Sequence, residues 1–176
     1  LFPLHDEWIV RKRAYWSLFA GAFGHTYGHS SVWCMISEKE RDEGRPYSWF
    51  EALDHPGAWQ MRVLTDLLKS RPFPDVVPCQ EMIGHNSSCG EGCLDGHRQA
   101  CVDRAGRFAM IYLSSGGTEK VDLSVLSGEE LRIWWFNPRN GECSEGKVIR
   151  NSRGWEEFTS PDCGKRGNRA DRREGV

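Results

Sequence analysis

Hydrophobic and polar positions divide the chain into two regimes and a tail. From Leu1 to about Phe73 apolar residues recur at helical spacing, from about Asp75 to Pro161 they alternate at period two, and beyond that they nearly vanish. In the first regime "DEWIVRKRAYWSLFAGAF" opens with an acidic turn after Asp6. Trp8, Ile9, Tyr15, Trp16, Leu18 and Phe19 then form one stripe, which predicts a helix ending near Gly21 or Gly24. Arg11, Lys12 and Arg13 read as its solvated side. "SWFEALDHPGAWQMRVLTDLLKS" predicts a second helical stretch, broken at Pro56 and Gly57. Ser48 and Glu51 have capping-box spacing, and Pro56 suits the first position of a restarted helix. Trp59, Val63, Leu64, Leu67 and Leu68 make the expected buried stripe, and "RPFP" stops it.

In the second regime "RFAMIYLSS", "EKVDLSVL", "ELRIWWFNP", "GKVIRN" and "GWEEFTSP" are strand-length runs separated by turn residues. Their regular spacing predicts an antiparallel all-β sandwich or barrel. "NPRNGE" reads as a hairpin connection. The final "CGKRGNRADRREGV" is polar and basic and predicts a disordered tail.

The segment "AGAFGHTYGHSSVW" carries two histidines four residues apart. On a helix they would share a face, as in the zinc motif H-E-x-x-H. That motif needs Glu beside the first His, and here the position holds Thr26. Gly24 and Gly28 also weigh against a helix, at about 1 kcal/mol each. A strand places His25, Tyr27 and His29 on one side, with Trp33 close after them. Such a face suits hydroxyl-rich ligands. The competing reading is a satisfied core histidine pair between strand and helix.

Composition narrows the function classes. The chain has 176 residues and a formal net charge of −2, which gives no electrostatic basis for binding nucleic acid or an acidic membrane. No apolar run approaches the ~18 residues of a membrane span. Eight Trp are a surplus at this length, and surplus Trp and Tyr suit both a core and a sugar-binding surface. The chain has no initiating Met, and its opening is too short and too acidic for a signal peptide. It is therefore expected to be a piece of something longer, with any such signal upstream.

Seven cysteines are present. Cys89, Cys93, His97 and Cys101 repeat every four residues, which resembles a three-Cys, one-His zinc set, but the even spacing fits no zinc module. Disulfides compete with it: Cys79 with Cys101 across a loop, and Cys89 with Cys93 across "CGEGC". Free thiols are a third reading, and Cys34 is expected as a buried one. Asn86 heads an N-glycosylation sequon in the same loop, which favours an exported, secreted protein.

Taken in order, "GAFGHTYGHSSVW", "W..ALDHPGAWQM..L.DLL.SRPF...VPCQ", "FAMIYLSSGG" and "WWFNPRNGE" resemble one family over about Glu7 to Pro161. It is the apiosidase-like glycoside hydrolases, whose (β/α)8 barrel precedes a small β domain labelled a "putative collagen-binding domain". The resemblance implies that residues 1–73 are the last helix, eighth strand and closing helix of a TIM barrel. Residues 74–162 would then be the β-sandwich and residues 163–176 a tail. His25, Tyr27, His29 and Trp33 would line the sugar site toward the barrel mouth. The implied partners are an oligo- or polysaccharide and the missing N-terminal barrel segment; no cofactor or metal is expected. Nothing in the residues suits a collagen triple helix.

The chain departs from the family in two places. Glycoside hydrolysis uses two carboxyl groups roughly 5–10 Å apart. No Asp or Glu falls between Ala14 and Ser37, and Glu38, Glu40, Asp42 and Glu43 read as a solvated loop. The catalytic carboxylates are expected upstream of Leu1, which leaves this chain inactive alone. The apolar strand that usually closes the family's β domain is also replaced by the basic tail, as a frame change, retained intron or truncated gene model would produce. The sandwich is expected to lack that edge strand. The alternative function is a non-catalytic carbohydrate- or matrix-binding β module, or a degenerate product.

Overall fold

The computed structural model describes residues 6–43, 46–84 and 96–161. The Asn86 sequon, Cys89, Cys93, Cys163 and the basic tail lie outside the described residues. Among the described residues five α-helices come first: α1 (Glu7–Phe19), α2 (Ser30–Trp33), α3 (Glu38–Asp42), α4 (Trp49–Leu53) and α5 (Pro56–Lys69). Seven strands follow: β1 (Val76–Pro78), β2 (Arg98–Asp103), β3 (Ala109–Leu113), β4 (Thr118–Asp122), β5 (Glu130–Phe136), β6 (Cys143–Arg150) and β7 (Trp155–Thr159). They form antiparallel sheets β1–β2–β3, β4–β7 and β5–β6.

The helix boundaries follow their local chemistry. The Asp6 carboxylate accepts from the Ile9 N–H at 2.9 Å and starts α1. After Phe19 the chain turns through Gly21 at φ +89°, a left-handed conformation that favours glycine. Ser48 and Glu51 close their capping box at α4, and Pro56 is the first residue of α5. A second box, Ser37 with Glu40, makes the acidic run at 38–42 a short exposed helix rather than the expected loop.

One correction concerns the basic side of α1. Arg13 faces solvent, but Arg11 and Lys12 are buried. The Lys12 ammonium lies 3.7 Å from the centre of the Trp8 ring and 5.1 Å from that of Trp16, so two indoles cover its stem and face its charge. Arg11 Nη1 donates to Gln60 Oε1 at 2.5 Å, joining α1 to α5. The expected α5 stripe is displaced as well: Gly57, Gln60 and Leu64 are buried while Trp59 is exposed.

The β1–β2–β3 sheet is covered on both faces. Ala100 and Val102 point into a core with Cys79, Met82, Ile83, Val121 and Leu123, where Ala109 and Ile111 of β3 also pack. Cys101 and Tyr112 point the other way, into a cluster with Ala14, Tyr15 and Phe19 of α1 and Leu64 of α5. The larger aliphatic and Phe side chains among them each contribute about 1.5–3 kcal/mol by leaving water. Trp8 Nε1 donates to the Ser114 carbonyl at 3.0 Å and pins α1 to the end of β3.

This alternation overturns the Cys79–Cys101 disulfide. Both thiols are free. The Cys79 N–H bonds the Ala100 carbonyl at 3.1 Å, so Cys79 shares the face of Ala100 while Cys101 takes the opposite one. Burial pushes the thiols up, to about 11 for Cys79 and about 12 for Cys101. Cys34 is also free but exposed, against the expectation of burial.

The remaining sheets close over the first core. "NPRNGE" forms the β5–β6 connection as expected: the Gly141 N–H bonds Asn137 O at 2.9 Å, with Gly141 at φ +80°. A bulge between Arg132 and Trp134 shifts the register of that hairpin. At the β2–β3 turn the inaccessible Asp103 carboxylate accepts from Arg107 side-chain nitrogens at 2.6 and 2.8 Å and from the Ala105 and Arg107 N–H groups. Its hydrogen bonds with the Arg107 guanidinium hold its pKa at about 2. An unfolded Asp titrates near 3.9, so this stabilisation is present above about pH 4 and drains away as pH falls toward about 2. Urea melts at successive pH values should show that loss, and Asp103→Asn should flatten it; an unchanged slope in the variant would assign the acid sensitivity elsewhere.

Candidate functional site

Residues 24–29 were expected as a strand, but they form no ladder. A strand needs a hydrogen-bonding neighbour, and no described segment supplies one here. The segment runs from Phe23 past the start of α5 to His29, which ends it as the N-cap of α2. His29 has φ −119° and ψ 129°, and its Nδ1 accepts from the Ser31 N–H at 3.1 Å.

The four expected site residues do not share one open face. His25 and Tyr27 line a groove of about 320 Å3 floored by Leu18, Met61, Leu64 and Leu68, with Phe23 and Phe73 at its sides. Tyr27 is half-buried there. It lies so close to Gly57 that a Cβ at that position would stand 3.3 Å from its ring. Trp33 is largely exposed and lies across Gly28, where an added Cβ would stand 2.6 Å from the indole. His29 turns instead toward two residues that sequence reasoning did not select, Tyr47 and His55.

His55 Nδ1 and His29 Nε2 are 3.2 Å apart. The Tyr47 ring stands nearly perpendicular to His55 at 4.3 Å between centroids, and at 6.2 Å from His29. A signal for His55 existed in "DHPG". The residue before proline is driven into extended backbone, and His55 indeed has φ −65° and ψ 142° with no side-chain capping bond. Its ring is thus free to leave the helix end and meet His29. What the sequence withheld was the partner, 26 residues earlier.

Burial governs the electrostatics of three of these side chains. Burial lowers the pKa of His25, burial and then His55 lower that of His29, and burial raises that of Tyr27. All three shifts favour the uncharged form. Two carboxylates of this region are engaged elsewhere: Glu51 accepts from the Ser48 N–H and hydroxyl and from Arg41, which depresses its pKa, and Glu40 closes the Ser37 box. His97, once a candidate zinc ligand, lies 3.0 Å from Gln99 Oε1 and edge-on to Trp16. Among the described residues no group of three or more His, Cys, Asp or Glu is placed to hold a metal ion, and no helix is long and apolar enough to cross a membrane.

Residues 77–172, more than half of the chain, match the family model described as "Putative collagen-binding domain of a collagenase". The chain belongs to that family. Residues 2–75 match the model described as "Apiosidase-like, catalytic domain", so the two matches follow the order that the sequence resemblance implies. Solved structures agree. One titled "Glycoside hydrolase" is 31% identical with a TM-score of 0.76, covering 91% of this chain and 34% of that one. A glycoside hydrolase family 5 structure from Bacteroides vulgatus ATCC 8482 is 28% identical with a TM-score of 0.76, again over 91% of this chain and 34% of that one. The chain thus spans about a third of the length of the solved structures it matches. No curated protein matches it. This apiosidase-like segment joined to the collagen-binding-type β family is related to glycoside hydrolases and shares their mixed architecture of helices and antiparallel sheets.

Proposed function

We propose that this chain is the C-terminal part of a carbohydrate-active glycoside hydrolase and supplies one wall of its sugar site. The observation that carries the reading is the likeness to a glycoside hydrolase over 91% of this chain, at 31% identity and a TM-score of 0.76. In this reading residues 1–73 are the closing segment of a (β/α)8 barrel and residues 74–162 a sandwich-like β domain. The exposed Phe23, Met35, Phe50 and Trp59 support it, since a surface this rich in apolar side chains suits contact with further protein. His29, His55, Tyr47 and Trp33 form the polar and aromatic edge that meets sugar, while His25 and Tyr27 line the adjoining groove. Catalysis rests with carboxylates outside this segment, because no Asp or Glu lies between Ala14 and Ser37. The sequon at Asn86 fits an exported parent.

The purified chain should bind a neutral oligosaccharide weakly, seen as shifts of histidine ring signals, and release no reducing ends from it. Hydrolysis by the chain alone, or saturating oligosaccharide that moves no histidine signal, would defeat this reading. A cleft of about 430 Å3 between the β5–β6 hairpin and β7, with Trp135, Lys147, Glu157 and Thr159 at its walls, favours a second one. There the β domain is a carbohydrate-binding module in its own right, and Trp135→Ala would abolish retention on a polysaccharide gel.

A further inference from the structure

The protons of the His29–His55 pair are fixed by a neighbour whose role cannot change. A backbone N–H only donates, and that of Ser31 is directed at His29 Nδ1. Neutral His29 therefore carries its proton on Nε2. That proton faces His55 Nδ1 across 3.2 Å, so His55 accepts there and holds its own proton on Nε2. The chain of donors runs one way, from the Ser31 amide through His29 to the far nitrogen of His55. At that end the imidazole is half-exposed, and its Nε2–H donates to no described residue. Tyr47 stands against the ring as a perpendicular aromatic wall.

We propose that His55 is a saccharide-contacting residue that donates its Nε2–H to a hydroxyl or ring oxygen of a neutral sugar, with His29 as its positioning residue. The proposal rests on the sugar-site reading above and adds the donor and the class of acceptor. A donor whose orientation is set before the ligand arrives loses less freedom on binding than a free ring. The pairing geometry selects the acceptor class, because a second proton on His55 would have to enter at Nδ1, directly against the His29 Nε2–H. A second proton on His29 would have to enter at Nδ1, directly against the Ser31 N–H, and burial also holds its pKa down. An uncharged N–H lacks the charge-assisted preference for a carboxylate, so a neutral sugar oxygen suits it as well as a uronate would.

The test is a long-range proton–nitrogen spectrum of the histidine-labelled chain at about pH 7.5, which reads the tautomer of each imidazole. Both His29 and His55 should appear as Nε2–H tautomers, and a neutral pentose oligosaccharide should shift the His55 Nε2 resonance. His55→Phe keeps a ring but removes the donor, and should weaken that binding about tenfold, the scale of one hydrogen bond. An oligouronate should bind no better than the neutral sugar. His29→Ala should return His55 to a mixture of tautomers; the wild-type spectrum settles the relay even if this variant fails to fold. An Nδ1–H tautomer at either ring overturns the proposal and leaves the sugar-site reading standing, as does sugar binding that leaves His55 unmoved. A preference for the oligouronate above tenfold overturns the neutral-oxygen assignment, and no shift at any histidine overturns both readings.

Discussion

Replacing Arg98 with alanine is expected to cost about 3–5 kcal/mol, because it strands a buried carboxylate. Glu119 on β4 is 2% exposed, and its Oε2 accepts from Arg98 Nη1 at 2.6 Å. The same guanidinium nitrogen bonds the Thr118 carbonyl at 2.6 Å, so one β2 side chain ties two sheets together. An ion pair so placed is weak evidence of net stabilisation, yet breaking it from one side is severe. The double variant Arg98→Met with Glu119→Leu should accordingly recover most of the loss. Urea unfolding of the wild type and these variants checks both statements. A single-variant loss below about 1 kcal/mol would show that water reaches Glu119 and relieves it.

Tyr15 carries the second large effect, and the two obvious substitutions should separate widely. Its ring stacks on Tyr112 at 4.5 Å and 16° and meets Phe19 edge-on at 5.7 Å, in the cluster joining α1 to β3. Tyr15→Ala should lose about 3–5 kcal/mol, as large-to-small changes at buried aromatics do. Its hydroxyl, however, is buried with no hydrogen-bond partner among the described residues, and burial drives its pKa well above the usual tyrosine range. Burying a polar group unpaired costs free energy. Tyr15→Phe should therefore be neutral or stabilising. Thermal melts of both variants give the comparison, and a loss above about 2 kcal/mol for the phenylalanine variant would reveal a partner for that hydroxyl.

The parts legible in the sequence were those governed by local rules. The helix starts at Asp6, Ser48 and Pro56, the glycine stop after Phe19 and the Asn137–Glu142 hairpin depend on residues a few positions apart. Strand β2 was not legible. Its residues 99–103 are all buried because both faces of the sheet are covered, and that erases the period-two signature. The charges on α1 misled for a related reason: a basic triplet reads as surface, although Trp8 and Trp16, four residues either side of Lys12, were the visible clue to its cover. At the site the non-helical backbone of 24–29 was readable, whereas its lack of a ladder and the pairing of His29 with His55 are set by segments far along the chain. Alternation alone put His25, Tyr27 and His29 on one side, but the turn into α2 gives His29 a different neighbourhood.

The double cover of β2 has a bearing on how this chain could be divided. The composition changes near Pro72–Pro74, which invites cutting there to obtain a free-standing β unit. Such a cut would strip α1 and α5 from one face of the sheet and leave Cys101, Met110 and Tyr112 bare to solvent. A piece beginning at residue 74 would therefore be sticky and poorly soluble, whereas a proteolytic nick at 71–74 in the whole chain should leave its two products clasped together on a sizing column. The seam in the sequence and the seam in the packing lie in different places, and only the second marks where the molecule comes apart.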